Sequence, residues 1–103
     1  MKTNLKLTVV KKFSPEDILG QEVKRHTGER IPPCRFEEGQ EFIVDNHLTP
    51  PDDFCGQAWQ DLYTILMIYY CGGDCEWPEP GVTYSPCGDG LRPVIFKIEK
   101  MTD

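Results

Sequence analysis

The sequence predicts an α+β domain: a small, mostly antiparallel sheet packed on one long helix, with one short N-terminal helix. Three observations predict it. Residues 5–10 and 94–98 alternate apolar and polar side chains, the signature of half-buried strands. Residues 54–70 carry apolar side chains three or four apart, the helical repeat. Clusters of Gly and Pro separate these segments and end regular structure between them. With three or four short strands and two helices, the class is α+β, and the strand order stays open. At 103 residues the chain reads as a single domain, 1–103. A chain of that size buries roughly two thirds of its unfolded surface, enough for a core of its own.

Taken in order, Leu5, Leu7 and Val9 alternate with Lys6, Thr8 and Val10 in a first strand. Ser14-Pro15-Glu16-Asp17 follows. Ser14 suits a helix N-cap, Pro15 the first helical position, and Asp17 can return a hydrogen bond to the cap. Ile18, Leu19 and Val23 give this short helix one apolar side, and Gly20 weakens it. Residues 28–33 break regular structure, and Cys34 to Gln40 lead into a second strand at 41–45, where Phe42 and Val44 share a face. Asp52 or Asp53 is expected to cap the long helix, which stops at Gly72-Gly73. Phe54, Ala58, Leu62, Ile65, Leu66 and Tyr69 form its main stripe. Trp59, Tyr63 and Met67 form an adjoining one, so the helix is expected to be largely buried across the sheet. The Gly- and Pro-rich stretch 72–90 is long for a loop, a length that often carries function, and a strand at 82–84 would break it. Val94, Phe96 and Ile98 then alternate with Ile95, Lys97 and Glu99 in the last strand.

Charge narrows the partners. A net charge of −6 argues against nucleic acid, whose phosphates need a concentrated Lys/Arg face. The one basic cluster, Lys11-Lys12, reads as solvation of an exposed strand end. Lys6 and Thr8 interrupt the apolar residues of the N-terminal segment, so it does not read as a secretory signal. The longest apolar run, at 65–71, is about seven residues where a membrane span needs about twenty. The expectation is a soluble, cytoplasmic protein.

Five cysteines, Cys34, Cys55, Cys71, Cys75 and Cys87, then become the main question. In a reducing compartment thiols bind metal, react or sit buried, and an odd count argues against a complete disulfide set. No CxxC pair is present, so neither a zinc ribbon nor thioredoxin-type chemistry is indicated. Cys55 falls in the first turn of the long helix, where unpaired amides favour negative charge while Asp52 and Asp53 oppose it. Cys34 and Cys87 each precede a strand. Cys71, after five apolar or aromatic residues, is expected to be buried, and Cys75 exposed in the long loop. His26 and His47 read as solvated loop residues. Asp89 and Arg92 flank a turn, either as a pair that braces it or with Arg92 holding an anionic ligand near Cys87.

The segments Gly39-Gln40-Glu41-Phe42, Phe54-Cys55-Gly56-Gln57-Ala58-Trp59-Gln60-Asp61 and Cys87-Gly88-Asp89-Gly90-Leu91-Arg92-Pro93-Val94-Ile95-Phe96-Lys97-Ile98-Glu99 resemble those of a family of small prokaryotic proteins. Its pattern runs Cys-Pro-x-Phe, Gly-x-Glu-Phe, Phe-Cys-x-x-Ala-Trp and Cys-x-Asp-Gly-x-Arg-Pro-Val-x-Phe-Lys. The resemblance spans residues 5–99 and carries no assigned activity. It singles out Cys34, Cys55 and Cys87 with Trp59, Asp61, Asp89 and Arg92, and leaves out Cys71 and Cys75. Arg35 stands where the pattern has proline. The family is common in anaerobes, which suits oxygen-sensitive thiols or an iron–sulfur centre.

Three functions follow as expectations. In the first, Cys34, Cys55 and Cys87 converge on a soft metal, zinc or an iron–sulfur centre, with Cys75 or a water as fourth donor and Asp89 and Arg92 beside it. The alternative is a structural or partner-binding module with inert buried thiols. A second alternative is a thiol enzyme or redox protein using Cys55 or Cys87, which lacks an evident base. No oligomeric state is indicated.

Overall fold

Alternation at the N-terminus produces β1 (Leu5–Lys12), with Leu5, Leu7 and Val9 buried. The computed structural model describes residues 4–76 and 78–101. After β1, Ser14 caps the short helix α1 (Pro15–Leu19). Its hydroxyl accepts from the Asp17 amide while the Asp17 carboxylate accepts from the Ser14 amide, so two otherwise orphaned donors are satisfied. An irregular stretch leads to β2 (Glu41–Val44), then α2 (Gly56–Tyr70), β3 (Val82–Pro86) and β4 (Val94–Lys100). The four strands form one sheet of order β2-β1-β4-β3, antiparallel at every pairing.

The register puts apolar side chains on one face. Leu7 lies opposite both Phe42 and Ile98, and Val9 opposite Phe96. On α2, Ala58, Leu62, Leu66 and Tyr69 recur four, four and three residues apart and are buried against that face. Fully burying each Leu, Ile or Phe contributes about 1.5–3 kcal/mol. The opposite face of the sheet is a ladder of charge: Lys6 reaches Glu41 and Glu99 at 3.7 Å each, and Lys97 reaches Glu99 at 3.6 Å.

One irregularity decides where a charge goes. The β1–β4 register shifts between Val9 and Lys11, so that Lys11 lies opposite Ile95 and Lys12 opposite Val94. An extra residue in one strand exchanges its two faces. Lys12 thus shares the inner face with Val94 and donates from Nζ to the Cys34 and Phe36 carbonyls, at 3.0 and 2.9 Å. This corrects the reading of Lys12 as a solvated strand end.

Two expectations about α2 also change. The helix caps on Cys55, with no side-chain cap hydrogen bond, rather than on Asp52 or Asp53. Asp53 has φ of 58°, in the left-handed region, and Phe54 closes a turn by donating to the Pro51 carbonyl, so the chain is still turning there. The second apolar stripe is not covered. Trp59 is half-buried, and Tyr63 and Met67 are 39% and 37% exposed, because the sheet packs on only one side of the helix. At the other end, Gly72 takes φ of 93° as its amide donates to Tyr69 and the Gly73 amide to Ile68. That pair of bonds reverses the chain and satisfies carbonyls the helix end leaves open.

Among the described residues no helix is long and apolar enough to cross a membrane.

Candidate functional site

Three loops meet at the N-terminal end of α2. Cys34 comes from the irregular stretch after α1, Cys55 from the helix cap, and Cys87 from the connection between β3 and β4. The Cys87 amide donates to the Val94 carbonyl at 2.9 Å, which continues the β3–β4 ladder by one residue. Thr83 opposite Ile98 and Ser85 opposite Phe96 lie on the inner face, so Cys87, two residues on, also turns inward. All three thiols line one cavity of about 60 Å³, together with Phe36, Gln57, Ala58, Asp89 and Arg92. They are partly buried and pack against the core.

An aromatic cluster supports the cavity. Phe36, 3% exposed, meets Phe96 edge-on at 5.2 Å and Phe54 at 5.2 Å, and Phe54 meets Phe42 at 4.9 Å. These contacts fix the backbone on either side of Cys34 and Cys55, since edge-to-face pairs add to the burial of large rings.

Charged side chains then tie the three loops to one another. Arg92, in the Cys87 loop, donates from Nη1 to the Pro32 carbonyl at 3.0 Å, two residues before Cys34. Arg35, beside Cys34, donates from Nη2 to the Asp53 carbonyl at 2.6 Å, two residues before Cys55. Asp61, on α2, accepts from the Gly88 amide at 2.6 Å, next to Cys87. Each thiol loop is thus joined to both of the others, and Lys12 holds the Cys34 carbonyl from the sheet. Charge-assisted bonds are shorter and stronger than neutral ones.

Within the Cys87 loop, Asp89 accepts from the Leu91 and Arg92 amides at 3.0 Å each and from Arg92 Nε at 3.1 Å. Burial pushes its carboxyl up, but the Arg92 and Leu91 amides and the Arg92 charge outweigh that and hold it below the usual carboxylate range. Asp89 therefore stays ionised and occupied as a brace.

The remaining cysteines lie elsewhere. Cys75 does not line the cavity. It packs against the core beside Tyr69, while Cys71 is exposed with its thiol 3.7 Å from Met67 Sδ. The expected exposures are exchanged because the turn at Gly72 leaves Cys71 on the outer side of the helix end and folds the following residues back inward. His26 and His47 are exposed and line no part of the cavity. As the side chains stand, no three His, Cys, Asp or Glu groups among the described residues are close enough to hold a metal ion.

Sequence reasoning missed Phe36, Lys12 and Arg35 as parts of this site. For Phe36 the signal lay in the spacing Cys34-Arg35-Phe36, which puts a large ring beside a thiol in an irregular loop. Lys12 and Arg35 carried none, because a bulge and a departure from the resembled pattern placed them. Comparison with protein-family models, with curated proteins and with solved structures finds no match to this chain.

Proposed function

We propose that the protein captures a single soft metal ion through the thiolates of Cys34, Cys55 and Cys87. The observation that carries this reading is the convergence of three thiols, from three separate segments, on one cavity whose loops are cross-tied by Arg92, Arg35 and Asp61. Ligands held by a rigid supporting shell are what a binding site requires. The size of the space supports an ion over an organic substrate. About 60 Å³ is far below the roughly 300–1,000 Å³ of small-molecule pockets. Three thiols also suit one ion better than an iron–sulfur cluster, which takes four cysteines. Thiolate ligands select zinc or copper(I). Three thiolates on a divalent ion leave one negative charge, and the first-turn amides of α2, which no side chain caps, stabilise it. Binding requires the three cysteines to come closer together than they stand in this structure. A water completes the coordination of zinc, in place of Cys75.

The thiol-enzyme alternative has less support, since no histidine lines the cavity and Asp89 is committed to its own loop. Five free cysteines suit a reducing compartment such as the cytoplasm.

The test is titration of reduced, metal-stripped protein with zinc and with copper(I), prepared without oxygen, against a chromophoric chelator. One ion per chain is expected. Cys34→Ser, Cys55→Ser and Cys87→Ser should each weaken it by more than the roughly 10–100-fold typical of losing a supporting residue. Cys71→Ser and Cys75→Ser should change it less than about twofold by the same comparison. Absence of stoichiometric binding, or equal sensitivity at Cys75, would favour inert packed thiols.

A further inference from the structure

A large hollow lies away from the thiols, between α1 and the segment that follows it. It has a volume of about 580 Å³ and is lined by Glu16, Val23, Lys24 and Arg30 among others. A second hollow of about 210 Å³, walled by Pro15, Ile31 and Pro33, shares Glu16 and Arg30 with the first. The two therefore flank the same pair of side chains. Unlike the thiol cavity, the larger hollow falls in the range of small-molecule sites.

Its walls are locally fixed. The Val23 amide donates to Glu16 Oε2 at 3.0 Å, which ties the segment back to α1. Lys24 and Arg30 face each other across an antiparallel bridge, and Arg25 and Gly28 close the turn between them. The charges are mostly spoken for. Glu16 is bonded to Val23, and Glu22 pairs with Lys24 at 3.4 Å. Among the described residues the Arg30 guanidinium has no ion pair or hydrogen bond. In a chain of net charge −6, the one uncommitted charge lining this hollow is a cation.

We propose that this groove binds a small amphipathic organic acid, its carboxylate on Arg30 and its hydrocarbon body along Val23, Pro15 and Ile31. A guanidinium matches a carboxylate with two parallel hydrogen bonds. The Pro, Val and Ile walls require an apolar body, which inorganic anions lack. Glu16 and Glu22 on the rim disfavour a dianion, so a monocarboxylate fits better than a phosphate. The site is independent of the thiols and of any metal.

The experiment follows backbone amide chemical shifts as the full chain is titrated with hexanoate, butyrate and inorganic phosphate. Saturable shifts confined to residues 15–33 are expected with hexanoate. Butyrate, shorter by two methylenes, should bind about fifteenfold more weakly, since burial of one methylene is worth roughly fourfold in affinity. Arg30→Gln should weaken hexanoate by about tenfold or more, and Arg30→Lys should recover part of that loss, because a point charge lacks the guanidinium fork. Arg30 is exposed, so both variants should keep the parent spectrum elsewhere. No saturable shift with hexanoate, unchanged binding in Arg30→Gln, or tighter binding of phosphate than of hexanoate would each overturn the proposal.

Discussion

The two ends of α2 carry the same residue type and arrange it in opposite ways. At the N-terminal end, Cys55 shares one cavity with cysteines from two loops distant in sequence, and charged side chains cross from each loop to the backbone of another. At the C-terminal end, Cys71 and Cys75 come from one local segment that reverses at Gly72, and they part to opposite sides of it. There the notable buried group is not a thiol but Tyr69, 1% exposed, whose hydroxyl has no hydrogen-bond partner of good geometry among the described residues. Two cysteines close in sequence are the product of a chain reversal. Three cysteines far apart in sequence and tied together by Arg, Lys and Asp side chains are harder to explain by packing alone.

The largest effect expected to separate the ends is a response to pH. Burial, reinforced by negative charge at Cys75 and Asp74, pushes Tyr69 from 10.0 up to about 12. Because the folded value is the higher one, the folded state keeps a proton that the unfolded chain releases. That stability is complete below about pH 10 and is lost as pH rises toward about 12. One unit corresponds to about 1.4 kcal/mol, so the loss should reach roughly 2–3 kcal/mol. Denaturant titrations across this window should show that slope in the parent and not in Tyr69→Phe. At neutral pH the variant should match the parent or exceed it, since it removes a buried hydroxyl with no partner among the described residues. A large loss at neutral pH would show that the hydroxyl does bond to Asp74 or Cys75.

Next in size is the reversal itself. Gly72 has open space around it but φ of 93°, so Gly72→Ala meets no clash and pays only in backbone conformation. A loss of about 1–2 kcal/mol is expected. Reactivity of Cys34, Cys55 and Cys87 toward a thiol reagent should stay unchanged, because none of the three loop ties passes through this turn.

Arg92→Met sharpens the comparison from the other side. It removes the bond to Pro32 and the pair with Asp89, side chains that remain 32% and 25% exposed. Solvent weakens such pairs, so a stability loss of about 1 kcal/mol is expected. The informative readout is reagent access: Cys34 and Cys87 should become more reactive together, with Cys75 unaffected. An increase at Cys87 alone would show that the Pro32 tie does not join the two loops.

How much of this could be read from residues follows from the range of the forces involved. The strands and the long helix announced themselves because periodicity is local, and the class α+β came with them. The segments bearing the three thiols could be named for the same reason, since Cys34 and Cys87 precede strands and Cys55 precedes a helix. Their shared cavity depends on the register of β3 on β4 and on the bulge after Val9, and no local pattern encodes either. Lys12 shows the consequence, because one extra residue moved it from the solvent face to the Cys34 carbonyl. The exposures of Cys71 and Cys75 were exchanged because the decisive feature was a reversal at Gly72, not the hydrophobicity of the preceding run. Tyr63 and Met67 looked like core because helical periodicity reports an apolar stripe without reporting whether a second layer exists to cover it.

The smallest effect tests the clasp between α2 and the Cys87 loop. A side-chain carbon added at Gly88 would stand 2.8 Å from Asp61 Oδ2, the same oxygen that accepts the Gly88 amide at 2.6 Å. Gly88→Ala therefore cannot keep the clasp unless Asp61 swings away, which its surface position allows. Asp61→Ala removes the clasp from the other partner. Each change should cost less than about 1 kcal/mol, because the bond is exposed to water. The two should not add, since either alone abolishes the same interaction. The double variant should match the worse single one in stability, and all three should raise Cys87 reactivity to a common level. Additive losses would mean that Gly88 is required for a backbone reason unrelated to Asp61. The tie between helix and loop would then have to be carried by the ladder bond from Cys87 to Val94.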